Sequence, residues 1–259
     1  MPTAAPSATP GRGVLVLGFD GVICDTWQEH AVLAWGAYHG WPPDAGPHPL
    51  DAVPADVIAI VRTLRGFVRH LGHLRVPLMP GADAVRTQED FDRTYAQLAP
   101  DDVTDFTRRA AQFRAEIRTG RWPAWLALHR MYDGLHGVLS AYGGRLYVVT
   151  ARDRGSVCAL LGEYGVGVAP DRVYGDQESK DTALAHVQTR ECVAADRLWF
   201  VDDNLGNVLA ARSAGHRAVW ALWGYSAPEH SAQAARLGVV TLALPDLPAL
   251  AAEVAGLVC

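Results

Sequence analysis

Lysine is almost missing from this 259-residue chain: Lys180 is the only one, and arginine carries the rest of the positive charge. A coding bias toward arginine accounts for most of that, but it makes the one lysine worth placing. No Lys/Arg-rich block occurs and the formal net charge is -5. That argues against nucleic acid or an anionic membrane surface as the main partner. The four cysteines, Cys24, Cys158, Cys192 and Cys259, are scattered and form no C-x-x-C pair. They read as reduced thiols of a cytoplasmic protein. No apolar run is long enough to span a bilayer. Residues 1–13 are small and proline-containing and lack an apolar h-region, so they read as a disordered arm rather than a signal peptide. There is no glycine-rich nucleotide loop and no G-x-S-x-G elbow. The oligomeric state is not encoded legibly, and a homodimer is left open.

What remains suits a substantial core, with 49% hydrophobic and 20% charged residues. Short apolar runs at 14–17, 145–150, 198–201, 218–222 and 239–242 read as buried parallel strands. Helical patterns at 155–164, 181–189, 205–214 and 228–237 separate the later ones, with Ser179 or Asp181 as the N-terminal cap of the second. This alternation predicts an α/β fold, a doubly wound parallel, Rossmann-like sheet. A different stretch intervenes between the first and second strands. It has helical periodicity at 27–38, 55–70, 88–98 and 103–118 and holds five of the eight tryptophans. The expected division is an α/β core of residues 14–24 and 140–259 with an α-helical cap of 25–139.

In an open α/β sheet, ligands bind beyond the carboxyl ends of the strands. Polar residues fall there. Gly18-Phe19-Asp20-Gly21 follows the first strand, Thr150-Ala151-Arg152 the second, and Asp202-Asp203-Asn204 a third, while Lys180 precedes a helix. Taken singly, each has a plainer reading as a turn, a strand end or a surface charge. Three cap features are weaker. His70 and His73 could face one metal, but read more readily as surface histidines. Arg62, Arg65 and Arg69 share a helical face that could grip an anion, but a solvated face is the simpler reading. Trp122, Trp125, His129, Tyr132 and His136 are spaced along a helical segment, mostly as core or as the cap–core hinge.

Taken together and in order, Gly18–Asp20, Thr150, Lys180 and Asp202-Asp203 resemble the four motifs of the haloacid dehalogenase-like superfamily. The resemblance covers most of the chain outside the first residues. It implies a Rossmann-like core with a cap inserted between the first and second motifs, and hydrolase or phosphatase chemistry on a small anionic metabolite. It implies that Asp20 is the general acid/base, that Thr150 binds phosphate and that Lys180 balances charge. It implies Mg2+ held by Asp202, Asp203 and the Asp20 backbone carbonyl. Gly18, Gly21, Ala151 and Arg152 would belong to the substrate-binding loops beside Thr150 and Lys180. Asn207 stands where many members carry a further Asp.

One residue departs from the pattern. The superfamily's first motif is Asp-x-Asp, whose first Asp is nucleophile and metal ligand, and here that position is Gly18. Glycine can neither attack phosphorus nor bind a metal through a side chain. Three readings follow: an enzyme using Asp20 without a covalent intermediate, a pseudo-phosphatase that binds a ligand or partner without turnover, or an engineered inactive variant of a magnesium-dependent phosphatase.

Overall fold

A computed structural model describes residues 13–40, 48–142, 146–177 and 179–256. The expected disordered arm lies outside these residues except for Gly13, as do Arg145 at the start of the second predicted strand and Cys259. The described strands are β1 (Val14–Leu17), β2 (Cys24–Asp25), β3 (Arg130–Met131), β4 (Leu146–Val149), β5 (Val173–Tyr174), β6 (Leu198–Asp202), β7 (Arg217–Ala221) and β8 (Thr241–Leu242). Six of them form one sheet in the order β5-β4-β1-β6-β7-β8, every neighbouring pair parallel. Counted along the sheet strands alone this is the doubly wound 3-2-1-4-5-6 order, whose switch point falls between β1 and β6.

The apolar runs take this form because both faces of the sheet are covered. Side chains alternate between faces along a strand. Leu15, Leu17, Leu146, Val148, Val201 and Val219 enter one apolar cluster. Val14, Val16, Tyr147, Val149, Leu198, Phe200 and Trp220 enter the other. Each fully buried aliphatic side chain contributes roughly 1.5–3 kcal/mol of transfer free energy. A polar substitution in β1 is therefore among the most damaging changes available. Strand β5, a two-residue edge strand, is too short to show any periodicity. The predicted strand at 239–242 shrinks to β8.

The insertion, labelled the cap below for its position only, is helical: α1 (Trp27–His39), α2 (Ala55–Leu64), α3 (Gln88–Tyr95), α4 (Pro100–Gly120) and α5 (Trp122–Leu126). Helix α1 packs on α2, on α4 and on a 3-10 segment at Leu71–Leu78. Two expectations change here. The pattern at 55–70 is not one helix: α2 ends at Leu64 and a 3-10 turn at Arg65–Phe67 follows, where Gly66 has poor helix propensity. The Trp122–His136 stretch is likewise broken, because β3 interrupts it.

Strand β3 pairs antiparallel with β2, so chain entering the cap and chain leaving it are tied together. After it come α6 (Leu135–Tyr142), α7 (Arg154–Glu163), α8 (Asp181–Arg190), α9 (Leu205–Ser213), α10 (Pro228–Arg236) and α11 (Leu247–Val254). Helix α6 packs on α11. Helix α8 begins with Lys180 at its N-cap and no side-chain cap bond, so neither Ser179 nor Asp181 caps it. No described helix is long and apolar enough to cross a membrane.

Candidate active site

The switch point places the carboxyl ends of β1 and β6 side by side. A cleft opens above them, between sheet and cap. Asp20, Thr150, Ala151, Arg152, Lys180, Asp202 and Asp203 line it from the core side. His30, Arg65, Arg69, His70 and Arg114 line it from the cap side. Gly18 and Gly21 are not among the lining residues. A Cβ built on Gly18 would lie 2.6 Å from Asp202 Oδ2, so Asp202 fills the space where a longer side chain would begin. Gly21, at φ +77°, is packed against the Asp203 carboxylate in the same way.

Asp202 ends β6 and is almost fully engaged. Lys180 Nζ lies 2.5 Å from its Oδ2. Its Oδ1 accepts from the Asn204 backbone N–H at 2.9 Å and from Asn207 Nδ2 at 3.0 Å. The lone lysine is thus a part-buried, paired cation rather than a free surface charge, and Asn207 acts as a donor where an Asp would repel. Asn204 also caps α9 through Asn207 N–H. Asp203 Oδ2 accepts from the Tyr225 backbone N–H at 2.8 Å. Burial, and then its neighbour Asp202, push the Asp203 carboxyl up to about 7. Thr150 Oγ1 accepts from the Arg152 backbone N–H at 3.1 Å, which tightens the turn after β4.

Arg152, expected in a substrate loop, lines the cleft and is also fully buried in an ion-pair network. Its Nη2 lies 2.7 Å from Asp20 Oδ1 and 2.7 Å from Glu29 Oε2. Its Nε adds bonds to both Asp20 oxygens at 3.0 and 3.3 Å. Burial by itself raises the Asp20 carboxyl, but Arg152, helped by His30 and Arg65, outweighs it and holds that carboxyl well below the usual range. Asp20 is therefore an anion throughout the physiological range. It can accept a proton but does not carry one to give.

Glu29, on α1, is the hub that sequence reasoning missed. Its side chain is completely buried and takes a forked pair from Arg114 at 3.1 and 3.0 Å. Trp125 Nε1–H donates to it at 2.9 Å. His129 Nδ1 lies 2.8 Å from the Trp125 carbonyl, which can only accept, so that nitrogen carries the proton. The His129 Nε2 lies 3.4 Å from both Arg152 Nη1 and Glu29 Oε1. Arg114 and Arg118 continue the network to Asp153, the N-cap of α7. Burial works against the Glu29 charge, and Arg114 and Arg152 overcome it, so Glu29 also stays ionised. The available signal was a glutamate in the first turn of α1, directly ahead of the apolar run 31–35, where a charge turned inward needs a partner.

The cap arginines divide. Arg62 lies over the Trp27 ring, and Arg69 pairs loosely with Asp92 at 3.6 Å. Arg65 is only 7% exposed, against the expectation of a solvated face. It stacks on the Tyr225 ring at 4.0 Å and donates to the Val68 carbonyl at 3.2 Å. Among the described residues it has no carboxylate within 4.0 Å, and its Nε lacks a partner. His73 is buried rather than on the surface, stacked against His70 at 3.9 Å. No metal-ligating group of three or more His, Cys, Asp or Glu occurs among the described residues. Of the described cysteines, Cys24, Cys158 and Cys192 are free thiols.

The residues expected to hold magnesium do not fit that ion as they are arranged. Magnesium needs near-octahedral oxygen ligands at about 2.0–2.1 Å. Here Gly18 offers no carboxylate, and a lysine and two amide donors cover the Asp202 oxygens. The Tyr225 N–H occupies Asp203 Oδ2. Arg152 engages the Asp20 side chain, not the backbone carbonyl that the resemblance assigns to the metal, and adds a fixed cation beside it.

No known family profile matches the sequence, and no curated protein matches it. Solved structures do match. A predicted phosphatase from Clostridium acetobutylicum superposes with a TM-score of 0.62 at 15% identity, over 94% of this chain and 100% of that one. A haloacid dehalogenase-like hydrolase from Streptococcus pneumoniae gives 0.59 at 14% identity, over 93% and 97%. A predicted phosphoglycolate phosphatase from Haemophilus somnus gives 0.58 at 15% identity, over 92% and 97%. At such identities the likeness is one of fold, and the fold of this chain, a Rossmann-like parallel sheet with a helical insertion after its first strand, is that of the haloacid dehalogenase-like hydrolases.

Proposed function

We propose that this chain is a phosphatase-type hydrolase of a small phosphorylated metabolite that works without an aspartyl-phosphate. The observation that carries the reading is the charge of the cleft. Five cationic side chains line it, Arg65, Arg69, Arg114, Arg152 and Lys180. Four of them pair with carboxylates, Arg69 with Asp92, Arg114 with Glu29 and Asp153, Arg152 with Asp20 and Glu29, and Lys180 with Asp202. Arg65, without a carboxylate of its own, is the side chain an anion relieves most. Cations come from cap and core alike, which suits a ligand with a phosphoryl group at one end and a second acidic group at the other. Phosphorylated carboxylic acids, the class named for one fold neighbour, are therefore the first substrates to screen.

With Gly18 in place the chemistry is direct attack by water. The new P–O bond forms to the water oxygen as the bond to the leaving oxygen breaks. Asp20, held ionised by Arg152, takes the water proton, and the departing oxygen, on the opposite face of phosphorus, takes its proton from solvent. A single displacement inverts configuration at phosphorus, whereas a covalent intermediate gives net retention. Turnover of a chiral phosphate ester is thus the test: retention, or a phosphate trapped on the protein, would sink the mechanism.

A second reading has its own support. The same Arg152 contact that keeps Asp20 ionised also makes it a weak base. A ligand-binding protein without turnover is what that favours, and a screen that finds tight phosphate-ester binding and no hydrolysis would select it. An engineered origin for Gly18 draws no support from the way Asp202 packs over it.

A further inference from the structure

We infer that the cleft takes its anion without a divalent metal ion, with the chain's own Lys180 and Arg152 holding the positive charge at the carboxylates. The inference rests on the reading of the cleft as an anion site. It is carried by three coupled features that each remove a reason for a metal.

Gly18 deletes a carboxylate, so one negative charge fewer needs neutralising. Asp202 leans over Gly18, with its Oδ2 where a side chain at position 18 would begin, and meets Lys180 there. Asn207 then covers the other Asp202 oxygen with an amide N–H. An acid at that position would repel Asp202 unless a cation lay between them, and an amide does not. On the opposite wall, Arg152 makes three hydrogen bonds to Asp20. Hydrogen bonds between ionised partners are the strong ones. A magnesium ion entering here would have to displace a lysine or an arginine from its carboxylate, and would then face both cations at close range. It also binds through few carboxylates only when it keeps several waters and gains substrate oxygens. The chain's own cations already offer those oxygens a partner.

The test measures metal and anion separately on the whole protein. Mn2+, as the spectroscopic stand-in for Mg2+, is titrated alone and followed by its electron paramagnetic resonance signal. Inorganic phosphate and tungstate are titrated calorimetrically, once in excess Mg2+ and once in excess EDTA. The expected results are no Mn2+ site at millimolar metal and anion affinities equal within about twofold in the two buffers. Lys180→Ala should weaken anion binding by about tenfold or more, a loss of one charge-assisted contact, whether or not metal is present. A single Mn2+ site in the native protein that disappears in Asp202→Asn would overturn the inference while leaving the anion site standing. So would anion affinity about tenfold higher in Mg2+ than in EDTA. Failure of both anions to bind in either buffer would instead refute the proposed function, and the Mn2+ titration would still decide the metal question.

Discussion

Arg152 closes on Asp20 with its Nη2 2.7 Å from Oδ1, and the same nitrogen reaches Glu29 of the cap at the same distance. One guanidinium therefore joins the acid that follows β1 to the helix that begins the cap. The charge state of Asp20 depends chiefly on this side chain, which also ties the cap to the core.

Asp20→Asn removes the proton acceptor and leaves the fold's ion-pair partner Glu29 in place. If the chain is a hydrolase, turnover should fall by about 10²–10⁴-fold, the usual worth of a positioned acid or base. Phosphate affinity should hold or rise, because Arg152 is released toward the ligand. Equal kcat values for the two proteins would remove Asp20 from the chemistry.

Glu29→Gln should cost stability, at most about 3–5 kcal/mol, since it takes a carboxylate from two buried arginines and leaves Arg114 with Asp153 and Arg152 with Asp20. The pH dependence follows from the lowered carboxyls of Glu29 and Asp20. A carboxyl whose folded value lies below its unfolded one stabilises above the unfolded value, about 4. That stabilisation is lost as pH falls through the folded value. Native protein should therefore lose melting temperature steadily below about pH 5, and Glu29→Gln should show a shallower slope there. Parallel acid-melting curves would contradict the assignment.

Asp203 has the opposite sign. Its carboxyl is raised to about 7 by burial first and by Asp202 second. A group raised in the folded state stabilises below its unfolded value and loses that contribution as pH rises through the folded one. Asp203→Asn should then gain in stability relative to the native protein between pH 5 and 8. Thermal melts across that range check it, and a constant difference between the two would refute it.

Arg65→Met should separate binding from stability. Anion affinity should drop about tenfold to a hundredfold, the worth of one hydrogen bond to an ionised group. Stability should change little, because removing a buried cation with no carboxylate within 4.0 Å is offset by losing its longer-range attraction to Asp20 and Asp203. Arg65→Lys should restore only part of the affinity, lacking the planar fork. Calorimetry and melting together decide, and loss of stability with unchanged affinity would make Arg65 structural.

Gly36→Ala tests the cap's own packing. A Cβ there would lie 2.2 Å from Cε1 of the Phe113 ring, where α1 and α4 meet. Overpacking of this kind costs about 1–3 kcal/mol. A melting temperature equal to that of the native protein would mean the two helices can part without cost.

The parallel core was legible because its strands are buried on both faces. Val14–Leu17 and Leu146–Val149 are unbroken apolar runs, and the residues just beyond them had to be at the ligand-binding edge. Gly18 was legible as well, since the absence of a side chain needs no coordinates. Arg65 and His73 were not. Their helical spacing described a surface face, but α2 stops at Leu64 and the chain turns both residues inward. Glu29 could be noticed in the sequence, but not its partners.

What the sequence by itself determined is the longer parallel strands of the core with the helices between the later ones, the position of the cleft's core-side residues, and the loss of a nucleophile at Gly18. These follow from local periodicity and residue chemistry. What only the tertiary structure decided is which charges meet. Glu29, Arg114 and Arg152 come from three separate segments, 85 and more residues apart for the first pair. Their ionisation is set by burial and by neighbours within a few ångströms, and both are properties of the folded contact rather than of any stretch of chain.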